Sequence, residues 1–268
     1  MRFKESELAG ARDRLLPAIR SHLIRQQGVV GLFLAGSIPA GTADAYSDID
    51  LKVVVRPGRY LDFVTRRLEL PRNWPGFLFN EWVENAAHCV SHFRPFLKVD
   101  VYYLNEEALA PTPWLSLPTE ILYDPEGIVW EVVERSQRLR FEPDPNEIDR
   151  SIGKGLAAAH EAYRRIQRGE LAYAQSLLDE LRLNMAMADD WLGGRPAQSI
   201  ALSRIEQRGS ELLLAVLRAS YVPLDVEEMK GALARLVGAY RAQVAELHGR
   251  FAPGRPLEND LEALDIVL

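Results

Sequence analysis

Residues 31–55, GLFLAGSIPAGTADAYSDIDLKVVV, decide how this chain is read. Two apolar runs, 28–35 and 49–55, flank a turn of small residues from Gly36 to Thr42, which predicts strand, turn, strand. Asp48 and Asp50 are two residues apart, so a strand points both to one face, about 7 Å apart along the chain. They open the run LKVVV, which belongs in a buried strand where an unpaired charge is expensive. A metal ion is the simplest partner for charges so placed. Hard Mg²⁺ takes oxygen ligands, usually one or two carboxylates together with substrate phosphates. Gly36 and the small hydroxyl of Ser37 suit a backbone that approaches a polyphosphate closely. Each part alone is commonplace, since Gly-Ser is a frequent turn and Asp-x-Asp is often solvated or a cap. Their combination at the mouth of an apolar strand is not.

A third acid extends the pattern. Residues 96–104, FLKVDVYYL, read as a β-branched and aromatic strand with Asp100 at its middle. Alternation puts Lys98, Asp100 and Tyr102 on one face and Val99, Val101 and Tyr103 on the other. If this strand lies beside the one holding Asp50, the three carboxylates converge.

Gly36-Ser37, Asp48-x-Asp50 and a later strand carboxylate resemble the nucleotidyltransferase superfamily that includes DNA polymerase beta. Within it, AGTADAYSDIDL followed by a helical tail is similar to antibiotic nucleotidyltransferases that adenylylate aminoglycosides or lincosamides. The likeness covers residues 30 to 55, with Asp100 and a weaker match in EILYDPEGIVWEVVER beyond. It implies transfer of a nucleoside monophosphate, AMP from ATP, to a hydroxyl of a small acceptor such as an aminoglycoside, with two Mg²⁺ ions. It also implies roles. Asp48, Asp50 and Asp100 are the catalytic metal ligands, with Asp100 a ligand or a general base. Gly36 and Ser37 hold phosphate oxygens, and Ser47 caps or orients the acidic turn. One departure is Ala40, where relatives often carry a basic residue. Another group must then hold the phosphate charge here, or triphosphate binding is weaker.

Composition bounds the alternatives. The chain has 268 residues, 47% hydrophobic and 26% charged, which is ordinary for a globular protein. No segment approaches the roughly 20 apolar residues of a membrane span, and the N-terminus lacks a signal-peptide core. Cys89 is the single cysteine, so an internal disulfide is impossible and a reducing, cytoplasmic compartment is expected. Thirty-two basic against 38 acidic residues give a net charge of −6, which argues against a nucleic-acid partner. Monomer and homodimer both stay open.

The expected fold class is α+β: a nucleotidyltransferase domain with a mixed sheet at 1–142, then a helical substrate-binding domain at 143–268. Amphipathic helix is expected at 5–26, and further helices at 59–69 and 126–138. FEPDPNEID marks the change of character, and helical periods follow at 148–168, 170–192, 199–219 and 225–249. Relatives place the acceptor between the two domains. Acidic and aromatic residues would suit a cationic sugar there, and the candidates are Glu81, Trp82, Trp114, Asp189, Asp190 and Trp191. A plain packing or solvated role is the alternative for each. His88-Cys89-x-x-His92 offers three zinc-type ligands but no fourth, and reads as incidental.

Overall fold

In the computed structural model, residues 4–81 and 86–268 are described, and Trp82 lies outside them. The chain divides into two units, Met1–Arg140 and Phe141–Leu268. The first unit is built on a mixed sheet. Its strands are β1 (Val29–Ala35), β2 (Ile49–Val55), β3 (Phe77–Glu81), β4 (His88–Phe93), β5 (Leu97–Asn105) and β6 (Glu120–Tyr123), in the order β3-β4-β5-β2-β1-β6. β2 and β5 pair in parallel, and the other neighbours are antiparallel. A parallel pair needs a crossover, here helix α2 (Pro57–Thr65) and the β3–β4 hairpin.

Alternation then sorts the side chains. Leu51, Val53, Val55, Val99, Val101 and Tyr103 point to one face and are fully buried or nearly so. Helix α1 (Glu5–Leu23) covers that face with Ala11, Leu15, Ile19 and Leu23, spaced four apart along one stripe of an amphipathic helix. Phe63 of α2 joins the same core. Each such aliphatic side chain contributes roughly 1.5–3 kcal/mol by leaving water. Within this unit a smaller core covers one end of the opposite face. There Val30, Phe33, Val54 and Val129 form a small core under helix α3 (Ile128–Ser136). The carboxylates lie on this second face, away from the large core.

The second unit is helical: α4 (Pro145–Gln167), α5 (Leu171–Leu192), α6 (Ile205–Arg208), α7 (Glu211–Ser220), α8 (Val226–Phe251) and α9 (Leu257–Asp265). Asp144, Ser210 and Asp225 cap α4, α7 and α8 by accepting bonds from backbone N–H groups in the first turn. Gly155 lets α8 come close: a Cβ there would lie 2.4 Å from the Tyr240 hydroxyl. The expected helix at 199–219 is not continuous. Residues 199–204 form turns, and the chain breaks again at Gly209 before Ser210 restarts it as a cap. Arg208 draws this segment inward, because its guanidinium reaches the Asp190 carboxylate and the carbonyls of Ala201 and Ser203. The tail forms α9. Among the described residues no helix is long and apolar enough to cross a membrane.

Candidate active site

Backbone pairing turns the open sheet face into rungs. Asp50 pairs with Asp100 across the parallel ladder, and the same rung runs from Glu81 through Val90, Asp100 and Asp50 to Ala35. Residues in register share a face, so the two carboxylates stand side by side. Asp48, just before β2, completes the group. One oxygen from each of Asp48, Asp50 and Asp100 lies within 4.8 Å of the others. Sequence parity placed Asp50 and Asp100 on faces that could match, and the parallel ladder matches them.

The turn after β1 brings Gly36 and Ser37 to this group. Gly36 has φ +77°, and a Cβ there would lie 2.3 Å from Asp50 Oδ2. Glycine is needed for both reasons. Ser37 is buried, and its hydroxyl has no hydrogen-bond partner. Asp100 Oδ1 is likewise buried and unpartnered. Buried polar atoms are nearly always paired, so the orphan Asp100 oxygen and the orphan hydroxyl on the turn residue after Gly36 suit a place that takes a ligand. The donors are all hard oxygens, a set that fits Mg²⁺. Ser47 behaves differently. Its hydroxyl donates to Asp44 Oδ1 at 2.9 Å and accepts from the Asp44 N–H at 2.9 Å, so it orders the turn before Asp48 rather than facing a ligand.

The electrostatics are strained without a metal. Burial, then the neighbouring Asp48 and Asp100 charges, push the Asp50 pKa up to about 6. Burial also raises Asp100, against the pull of Lys98. Two lysines stand among the acids: Lys98, which alternation places on the Asp100 face, and Lys52, which the sequence analysis does not name. Lys98 Nζ is 2.8 Å from Asp48 and 3.1 Å from Asp100. Burial disfavours its charge, but the hydrogen bond to Asp48 and the nearby Asp100 prevail and raise its pKa. Lys52, one rung beyond Asp50, lies 3.2 Å from the centroid of the Tyr102 ring, and burial lowers it to about 8. The signal was available: each lysine is two residues from an aspartate on a strand, hence on the same face.

The acceptor candidates disperse. Glu81 ends edge strand β3 and pairs with His92 at 2.6 Å. It shares the carboxylate rung, roughly 10 Å from Asp100 at two strand spacings. Trp114 lies in a 3-10 turn (Pro113–Ser116), half exposed, at the edge of a cavity of about 740 Å³. Asp189, Asp190 and Trp191 belong to the helical unit, and none lies on a solvated helix face. Trp191 is core. Asp190 is fully buried, with Arg208 and Arg195 (3.4 Å) on its Oδ1 and the Gln198 N–H donating to its Oδ2 at 3.4 Å, so neither oxygen faces a ligand. Asp189 accepts the Ser210 N–H at 3.0 Å and borders a cavity of about 390 Å³ inside the same unit. The zinc reading of residues 88–92 also fails on parity. Cys89 points into the buried core, while His88 stacks on Tyr102 and His92 on Phe79.

No family model matches this sequence, and neither does any curated protein sequence. Among solved structures, a nucleotidyltransferase-like protein from Exiguobacterium sibiricum is similar at 12% identity, over 89% of this chain and 77% of that one, with a TM-score of 0.47. An aminoglycoside 6-adenyltransferase from Bacillus subtilis is similar at 13% identity, over 94% of this chain and 97% of that one, with a TM-score of 0.43. The functional reading of this chain rests on its own residues.

Gly36 gives a sharp test of the geometry. Gly36→Ala should cost about 1–2 kcal/mol of stability through its left-handed backbone. The added methyl displaces the Asp50 carboxylate, so the nucleotide transfer expected from the sequence resemblance should also fall roughly a hundredfold. Urea unfolding and kcat report the two effects separately. Unchanged kcat would mean that Gly36 does not set the position of Asp50.

Proposed function

We propose that this chain transfers a nucleoside monophosphate, AMP from ATP in the first instance, to a hydroxyl of a small molecule and releases pyrophosphate. The observation that supports this most is the meeting of three carboxylate oxygens within 4.8 Å beside the unpartnered Ser37 hydroxyl. Bound Mg²⁺ would supply neutralisation of the triphosphate and of the entering and leaving oxygens, the main requirement of such a transfer. Asp48 and Asp50 would hold the ion that grips the triphosphate. Asp100 completes a second ion position or takes the proton of the attacking hydroxyl. The Ser37 hydroxyl donates to a phosphate oxygen, and the Gly36 backbone permits its approach. Lys98, which bridges Asp48 and Asp100, would be near enough to pair with a phosphate oxygen when the ion is bound. Lys52 and Lys98 thus offer the positive charge that Ala40 lacks.

The reaction makes one bond and breaks one. The acceptor oxygen bonds to the α-phosphorus, the bridging oxygen leaves with pyrophosphate, and the hydroxyl proton passes to Asp100 or to water.

The experiment is pyrophosphate release with ATP, GTP, CTP or UTP, Mg²⁺, and a panel of hydroxyl compounds headed by aminoglycosides and lincosamides, which the sequence resemblance suggests first. Release that depends on acceptor and stops with EDTA is expected. Silence with every small acceptor, together with labelling of a protein, would replace this reading with a protein-modifying one. Nucleotide binding without turnover would leave a non-catalytic nucleotide-binding regulator.

A further inference from the structure

The rung beyond the carboxylates reads His88, Tyr102, Lys52 and Phe33, on the same open face. It floors the cavity of about 740 Å³, and Trp114 and Leu115 border it. This volume lies within the range of small-molecule sites. The rung is about 7 Å from the carboxylates, two residues along the strands. A ligand with one ring in the cavity and a short arm therefore reaches Asp100.

The lining has a definite chemistry. It is aromatic, with His88 stacked on Tyr102 at 4.8 Å between ring centroids and Trp114 at the rim. Its charged side chain is Lys52, and among the described residues no Asp or Glu borders it. A cationic ligand gains from carboxylates or from open aromatic faces. Here no described lining residue is a carboxylate, and one face of Tyr102 already holds the Lys52 ammonium at 3.2 Å. A second cation would meet the first.

We propose that this cavity seats the acceptor, and that the acceptor is a planar aromatic hydroxyl compound, neutral or anionic, rather than a polycation. The assignment as acceptor rests on the transfer reading given above; the ligand class rests on the cavity alone. Its ring lies between His88, Trp114 and the edge of Tyr102, whose two faces His88 and Lys52 already cover, and an acidic group on it pairs with Lys52. Aminoglycosides, which carry several ammonium groups, do not fit this lining.

A matched series isolates charge from shape: 4-hydroxyphenylacetate (anion), 4-hydroxyphenylethanol (neutral) and tyramine (cation). Their binding is measured by calorimetry without nucleotide or metal, on the wild type and on Lys52→Met, Trp114→Ala and Phe96→Ala. The last alters a separate cavity of about 400 Å³ beside Asp48 and Lys98. The anion and the neutral compound should bind at least about tenfold tighter than tyramine. Trp114→Ala should weaken all three about tenfold. Lys52→Met should remove the advantage of the anion over the neutral compound. Trp114 is half exposed, so its variant tests the site even if Lys52→Met does not fold. No saturable binding, tyramine or kanamycin binding as tightly as the anion, or sensitivity to Phe96→Ala in place of Trp114→Ala would each overturn the proposal. Binding in the expected order without pyrophosphate release from any nucleotide would uphold the ligand class and overturn the transfer reading alone.

Discussion

Asp48→Asn, Asp50→Asn and Asp100→Asn should each lower nucleotide transfer by about a thousandfold, roughly 4 kcal/mol of transition-state stabilisation. None should unfold the protein, because the three carboxylates repel one another and no core packing depends on their charge. Asp50→Asn should in fact stabilise it. The folded pKa of Asp50 is raised from 3.8 to about 6, so between these values the folded state keeps a proton that the unfolded chain has lost. Stability from this group is therefore full at low pH and is lost as pH rises through about 6. Asparagine stays neutral throughout. Its advantage should be absent near pH 4 and amount to about 1 kcal/mol, or a rise of about 2–4 °C in Tm, near pH 8, after allowance for solvent screening. Mg²⁺ should reverse the order near pH 8, raising the Tm of the wild type and leaving the variant unmoved. Thermal scans at both pH values, with and without Mg²⁺, read all of this. Wild-type turnover in any of the three variants would remove that residue from the mechanism.

Asp190→Ala should cost about 3–5 kcal/mol, the usual penalty for leaving a buried charge without its partner. Arg208 is mostly buried and donates to Asp190 and to the carbonyls of Ala201 and Ser203, so the pair fixes the irregular segment that precedes α7. Adding Arg208→Met should recover part of the loss, since the stranded cation is then gone. Asp189→Ala should cost less, about 1–2 kcal/mol, because what it loses is mainly a bond to the Ser210 N–H. Urea unfolding near pH 7 measures each. A near-wild-type midpoint for Asp190→Ala would show that the carboxylate does not hold Arg208 in place and would return it to the pool of candidate ligand contacts.

The strands and the acids were legible because period-two alternation survives in 49–55 and 96–104, and a carboxylate in such a run announces itself. The pairing of those strands was not, since nothing local encodes which strand lies beside which. Lys52 and Lys98 were passed over as site residues although parity put them with the aspartates, because a strand lysine usually reads as solvated. The helix expected at 199–219 failed for a tertiary reason. Local propensity favours continuity there, yet Arg208 turned towards Asp190 and Gly209 with its following cap interrupts it. Asp189 and Asp190 misled for the same reason, since their arginine partners lie 5 to 18 residues later in the chain and satisfy them inside the fold. The cavity beside the carboxylates draws on residues from Phe33 to Leu115, a span that no motif covers.

The in-register pairing of Asp50 with Asp100 has a consequence for how the chain reaches its native state. A slip of one residue between β2 and β5 would carry Asp100 to the side of Val99 and Val101, and the ion-binding group would cease to exist. A metal held by the three carboxylates, as the proposed function requires, would thus bind only the correctly aligned sheet, and its binding free energy would add to the gap between that alignment and its competitors. The two aspartates are 50 positions apart, so such an ion would recognise the nascent chain only after β5 has emerged. Metal affinity would then also be a proofreading signal for strand alignment, and a refolding experiment could follow it in time.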